Sequence, residues 1–449
     1  MMVRKMLGRA WATRERRAVG GMITVNACSA VLSLTVTIVL ARLLGVSQYG
    51  LYAYAISISG LVGGLAALGI PTLVLRQASV WSVTSQWRLF RGIIRFGIVA
   101  TFISSMLFGI LLVNINPFLG RISHAPGFVI SLSLAAVVMV CTTVAQVLEA
   151  VLQSGKIIVG SIVPRVIVLP AGILAYAIGG HMLGLSLSAR NVLVAQSVVG
   201  IAMLLCLLRM LERVIPAEAL GVIPVVHPVE WLSSALPFLG NNIMFVINTQ
   251  VDILLLGYFK GGSSAAVYRV GTRGAQILVL SLTAIVAAVQ PRMAALFAEG
   301  RHKELAALVT RTTRTGFYIA LAAAAMFVAG GRQIIFVLFG QPFIAAADVL
   351  MILTICRLAH AGTGSLGAFL SMTGKERILM KALMAESAAN IVFNVVLIPR
   401  WGVVGAALAT GISMAAMNTL LAFYVYRKWG VDVSIWGKNK SVTSLDRHI

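Results

Sequence analysis

The stretch ARLLGVSQYGLYAYAISISGLVGGLAALGIPTLVLRQAS, residues 41–79, decides the class of this protein. No residue between Arg42 and Arg76 is charged, and the part from 50 to 75 is one long apolar run. A hydrocarbon core is crossed by ~20 apolar helical residues, so this run is long enough to span a bilayer. The whole chain reads the same way. Of its 449 residues, 59% are hydrophobic and 11% charged. Soluble domains carry roughly 25% charged residues, too many for this chain to match. The composition excludes a soluble enzyme or a nucleic-acid-binding module and implies a polytopic membrane protein.

Apolar windows predict twelve helices, near 20–42, 50–75, 93–114, 128–152, 157–179, 191–209, 232–257, 265–291, 315–339, 346–372, 378–398 and 403–426. The loops test that count. With a cytoplasmic N-terminus and a reversal at each helix, cytoplasmic segments hold 26 of the 36 Lys and Arg. Outer segments hold five, Arg42, Arg121, Arg190, Lys260 and Arg400. A missed helix would invert half of this positive-inside pattern. The tryptophans Trp11, Trp81, Trp87, Trp231, Trp401, Trp429 and Trp436 all fall at or beyond helix ends, as an interfacial belt requires. The net charge of +23 therefore reads as orientation and contact with anionic lipid rather than as a nucleic-acid surface. A cleaved signal peptide is the weaker reading of the basic N-terminus, because the apolar run after it is long enough to span.

Two halves are visible. Gly45, Leu51, Tyr52 and Arg76 recur 216 residues later as Gly261, Val267, Tyr268 and Arg292. Residues 152–156, LQSGK, are echoed at 371–375, SMTGK, offset by 219. An even number of helices separates the echoes, so the halves are parallel repeats, one of the architectures of secondary transporters. The expected organisation is a basic cytoplasmic N-terminus (1–19), a first lobe (20–209), a cytoplasmic linker (210–231), a second lobe (232–426) and a basic cytoplasmic C-terminus (427–449).

Covalent chemistry is not expected. The Gly-Lys pairs fail the phosphate-loop pattern, because Ala150 and Phe369 stand where its first glycine belongs. The four cysteines lie singly in apolar segments, and the six histidines are scattered. No cofactor or metal is implied.

What remains is charge inside the membrane, where an ionisable group costs at least ~2.5–3.5 kcal/mol and needs a pair, a wet cavity or a function. Arg165 stands on helix 5 with no evident acidic partner. Arg269 and Arg273 share one face of helix 8. Asp252 on helix 7 is at the depth of Arg269, and the two form either a packing pair or part of a carrier site. Arg357 and His360 are three apart on helix 10, and Glu386 on helix 11 shares a face with Asn390 and Asn394. Arg357 with Glu386 is either a static pair or functional. Arg332 and Asp348 are near enough to the outer surface to snorkel. Deep arginine exceeds deep acid, so a cavity lined by Arg165, Arg269, Arg273 and Arg357 would attract an anion, and the guanidinium fork suits phosphate. Asp252, Glu386 and His360 are the candidates for proton or cation coupling.

Residues 41–79, with VDILLLGYF (251–259), VQPRMAALFAEGRHKEL (289–305), MTGKERILM (372–380) and LIPRWGVVGAALATGIS (397–413), resemble the bacterial polysaccharide-unit flippases. These belong to the superfamily that includes multidrug extruders and the peptidoglycan-precursor flippase. The resemblance implies an all-α membrane protein of two six-helix bundles around a central cavity, working by alternating access. It implies transport of an undecaprenyl-pyrophosphate-linked oligosaccharide from inner to outer leaflet of the bacterial cytoplasmic membrane, for O-antigen or exopolysaccharide. It also implies partnership with a polysaccharide polymerase and chain-length machinery. Two rivals stand beside it: an ion-coupled drug extruder, which should favour deep acids, and a membrane polymerase or ligase, which typically needs a larger outer loop than the roughly 13 residues near 115–127.

Overall fold

A computed structural model describes residues 2–123, 127–364, 366–430, 432–435 and 437. His124, Trp436 and most of the basic C-terminus (438–449) lie outside the described residues. The described chain is helical throughout. In order, the helices are α1 (Met2–Ala66), α2 (Ile70–Val83), α3 (Trp87–Ser123), α4 (Phe128–Ser154) and α5 (Ile158–Val163). After a π-turn (Pro164–Val168) come α6 (Leu169–Met182), α7 (Ala189–Glu212), α8 (Ala217–Leu220), α9 (Pro228–Lys260) and α10 (Gly262–Ala298). The chain ends with α11 (His302–Phe339), α12 (Ala346–Thr363), α13 (Leu366–Met372) and α14 (Glu376–Trp429).

Nine helical stretches among the described residues are long and apolar enough to cross a membrane. Two of them are double lengths. α1 kinks at Gly45 (φ 70°, ψ 175°) and α14 at Gly402 (φ 56°, ψ −127°), each at an expected connection between helices. Each double length, at 1.5 Å per residue, is well over the ~30 Å a crossing needs. α10, which is not among the nine, carries the eighth expected helix. This is a multi-pass, all-α integral membrane protein.

Three expected helices are interrupted, each for a local reason. The second breaks at Ala67–Gly69, where Leu68 and Gly69 have positive φ. A side chain at Gly69 would collide with the backbone of Ala235 and Leu239 on α9, so the break admits a close helix approach. The fifth passes through the π-turn, where Leu169 N–H bonds back to the Pro164 carbonyl and Pro170 has no N–H to give. The tenth divides into α12 and α13 at Gly364 (φ 95°). By contrast, α11 starts well before the expected 315, because a hydropathy window sees only the apolar part of a helix whose first turns are charged.

By packing, the chain forms two compact units, Met1–Gln250 and Val251–Ile449, with α9 passing from one into the other. In the first unit α4 is the hub, packed on α1, α2, α3 and α7. In the second unit α12 packs on α10, α11 and α14.

Each unit also holds a connecting segment against its helices as a strap, the one after α7 in the first unit and the one after α14 in the second. In the first, Arg91 Nη1 donates to the Val222 carbonyl at 2.9 Å and Val225 N–H to the Arg88 carbonyl at 3.1 Å, while Gly92 leaves room for the Val225 carbonyl. In the second, Arg314 on α11 donates from Nε to the Ile435 carbonyl (2.9 Å) and from Nη2 to the Gly437 carbonyl (3.1 Å). Ile435 N–H then bonds the Gly362 carbonyl at 3.1 Å, satisfying an acceptor left open by the break after α12. Trp429 and Val433 are buried in the cluster formed with Leu305, Val309, Leu366 and Phe369.

Candidate functional site

The polar interior of the second unit is organised around Asp252, which α9 carries into a setting 7% exposed. Its Oδ1 accepts from Asn394 Nδ2 at 2.7 Å. Its Oδ2 accepts from the Tyr268 hydroxyl and the Thr410 hydroxyl, both at 2.7 Å. Asn390, one turn from Asn394 on α14, accepts from the same Asn394 amide through its carbonyl at 2.9 Å. Hydrogen bonds to a charged acceptor are the short, strong ones, and these lengths are of that kind. The donors are therefore neutral groups on α10 and on both lengths of α14, and not Arg269 as the pairing by depth suggested. The Asn394 Oδ1 is buried beside this carboxylate without a partner among the described residues.

The first unit has the matching tyrosine without the acid. Tyr52, 216 residues before Tyr268, donates its buried hydroxyl to Gln196 Oε1 at 3.0 Å. The residue 216 before Asp252 is Val36, buried and apolar. The 216-residue echo thus matches the tyrosines but sets an apolar residue where the carboxylate stands.

Arg165 has a partner that the sequence reading missed. Its Nε and Nη2 grip Glu149 Oε1 and Oε2 at 2.7 and 3.0 Å, a bidentate pair. The Glu149 side chain is 5% exposed and that of Arg165 38%. Arg165 is carried by the π-turn and reaches Glu149 on α4. Its charge is neutralised, which weakens it as a free cation.

Arg269 and Arg273 are both half-buried on α10, and Arg273 Nη1 donates to Gln276 Oε1 at 3.0 Å. Arg357, His360 and Glu386 are brought together in a cavity of about 490 Å³ within the second unit, with Gln290 and Asn418. No ion pair joins Arg357 to Glu386 among the described residues, so the static-pair alternative fails. Among the described residues, Arg357 Nε and His360 Nδ1 are buried without hydrogen-bond partners. Glu386 is therefore separated in role from Asn390 and Asn394, which serve Asp252. Arg332 and Asp348 are exposed.

The residues missed from sequence were Tyr268, Thr410, Gln196, Gln290 and Asn418. Tyr52 and Tyr268 had a signal, since both lie in the repeated motif; isolated Thr, Gln and Asn in apolar runs carry none.

The sequence pattern described as polysaccharide biosynthesis protein matches residues 39–348. The chain belongs to that family. A probable low-salt glycan biosynthesis flippase of Haloferax volcanii is 23% identical over 175 residues, 39% of this chain and 37% of that relative. The match thus spans little more than a third of that relative's length. The fold is that of known transporters: the lipid II flippase MurJ in an inward closed conformation superposes with a TM-score of 0.72 at 14% identity, covering 90% of this chain and 86% of that one. An inward-facing multidrug resistance transporter of the MOP superfamily superposes at a TM-score of 0.68 with 13% identity, covering 88% of this chain and 93% of that one.

Proposed function

We propose that the protein is a flippase for a lipid-linked oligosaccharide. Its cargo in this reading is an undecaprenyl-pyrophosphate-linked repeat unit, moved from the inner to the outer leaflet of a bacterial cytoplasmic membrane for surface polysaccharide. Both termini face the cytoplasm, and a polymerase with its chain-length machinery takes the product. The observation that carries the reading is the family match across residues 39–348 in a chain whose deep arginines outnumber its deep acids.

The physical task is to carry a charged, hydroxyl-rich headgroup past hydrocarbon while the polyprenyl tail stays in lipid. No covalent step is needed. Arg269, Arg273 and Arg357 supply the positive potential for pyrophosphate, with Arg165 contributing less because Glu149 neutralises it. Alternating access then exposes the polar path to each side in turn. Net movement requires an energy source. Asp252, with Asn390, Asn394, Thr410 and Tyr268 around it, is the coupling group, taking up a proton or a small cation. His360 and Glu386 are secondary candidates for the same role.

The ion-coupled extruder remains the second reading, and the observation in its favour is Asp252 itself, a buried acid on α9. Deleting the gene and locating the lipid-linked repeat units separates the two. Inner-leaflet accumulation with loss of surface polysaccharide supports the flippase. Normal polysaccharide with altered drug sensitivity supports the extruder, and outer-leaflet accumulation points to a polymerase or ligase.

A further inference from the structure

The cavity in the second unit holds two opposite charges that do not neutralise each other. Arg357 comes from α12 and Glu386 from the first length of α14. Among the described residues neither has a salt bridge, and Glu386 has no hydrogen bond. Both side chains are half-buried, and taking a charge even partly out of water without a counter-charge is costly. Here the ion pair that does form deep in the chain, Arg165 with Glu149, is bidentate. Arg357 and Glu386 face one space of about 490 Å³, a volume within the ~300–1,000 Å³ of small-molecule sites. His360 and Asn418 line the same space. The remaining walls are apolar, made of leucine, methionine, alanine, glycine and Val286.

A ligand that completes such a space must carry both charges. Its anionic group belongs on Arg357 and its cationic group on Glu386. The uncharged polar groups of Gln290, Asn418 and His360 suit hydroxyls, which donate and accept alike. We propose that this cavity binds a zwitterionic sugar phosphate, one whose sugar carries a free amine. The choice of a sugar as the body rests on the flippase reading, whereas the demand for paired opposite charges rests on the cavity. Glu386 is then the residue that distinguishes an amino sugar from its N-acetylated counterpart, which has no positive charge to offer.

The test is binding of three probes to the full-length protein in lipid nanodiscs: glucosamine 1-phosphate, N-acetylglucosamine 1-phosphate and inorganic phosphate. The free amine should bind about tenfold tighter than the N-acetyl form, the scale of one charge-assisted hydrogen bond. Glu386→Gln, isosteric and neutral, should erase that preference while retaining the N-acetyl form. Arg357→Gln should abolish binding of both sugars. Melting temperature and monodispersity of each variant separate lost binding from lost folding. Equal affinity of the two sugars in the wild type, persistence of the preference in E386Q, or no binding of any probe would overturn the proposal. Location of lipid-linked units in the deletion strain reports on the flippase reading separately. Normal distribution there with intact probe selectivity would leave the cavity assignment standing and remove only its glycan-lipid context.

Discussion

The Tyr268 hydroxyl donates to Asp252 Oδ2 at 2.7 Å, while its counterpart one repeat earlier, Tyr52, donates to the neutral Gln196 at 3.0 Å. The two halves share a hydroxyl at the same depth in the motif and differ in what it serves. A duplicated scaffold has no packing reason to acquire a carboxylate in one copy where the other keeps Val36. That difference supports the proposal of Asp252 as the coupling group, with Tyr268, Asn394 and Thr410 as its donors.

Asp252→Asn should abolish the dependence of transport on the driving ion gradient while leaving the protein folded. The amide fills the same volume, and its oxygen still accepts from Tyr268 or Thr410, so the loss of stability should be modest. Proteoliposomes with an imposed pH or Na⁺ gradient measure this. A variant that responds to the gradient like the wild type removes Asp252 from coupling.

The bidentate pair of Arg165 and Glu149 makes a signed prediction. Glu149→Gln leaves a guanidinium without its counter-charge beside a buried partner. Breaking a fully buried pair costs roughly 3–5 kcal/mol, but Arg165 is 38% exposed, so about 1–3 kcal/mol is expected after solvent screening. The double variant E149Q/R165Q should recover part of that loss, because no unpaired charge remains. Melting of the detergent-solubilised protein reads both, and a double variant no better than the single one would show that packing, not charge, holds the site.

How legible this was varied with the kind of signal. The helical, multi-pass class and most helix connections follow from hydropathy and the glycine motifs, and the kinks at Gly45 and Gly402 fall where the chain announced turns. The breaks at Gly69 and Gly364 were hidden, because each is made by a distant backbone, α9 in one case and the strap at Val433 in the other. Arg165 and Glu149 are 16 residues apart on different helices, and neither spacing nor depth predicts that one reaches the other. The Asp252 cluster was half-visible: the acid and both asparagines were singled out, but depth alone pointed to Arg269 as partner, whereas the carboxylate is met by neutral donors.

Arg314 and the strap lead to a truncation series. Ending the chain after Gly437 keeps both carbonyls that Arg314 grips and the Ile435 bond to Gly362, so folding and transport should match the full chain. Ending it after Trp429 frees the Gly362 carbonyl and strips Val433 from its cluster. That truncation should lower the melting temperature, and Arg314→Ala should lower it less, having lost two hydrogen bonds but not the buried valine. A chain ending at Trp429 that melts like the wild type would reduce the strap to a passive tail.

Gly402 offers the sharpest backbone test. At φ 56° and ψ −127° it occupies a conformation that a side chain strains, and nothing lies within 4 Å of the position a Cβ would take. Collision with neighbours is thus absent, and any effect of Gly402→Ala comes from the backbone alone. Holding a non-glycine residue in such a region costs about 1–3 kcal/mol, to be relieved by straightening or shifting the kink in α14. Gly179→Ala is the control, because it lies within α6, has no positive φ and likewise has nothing within 4 Å of the added methyl. The control should melt at or slightly above the wild type, since alanine is the better helix former. G402A should melt lower, and if the two variants melt alike, the kink is set by the flanking helices and not by its glycine.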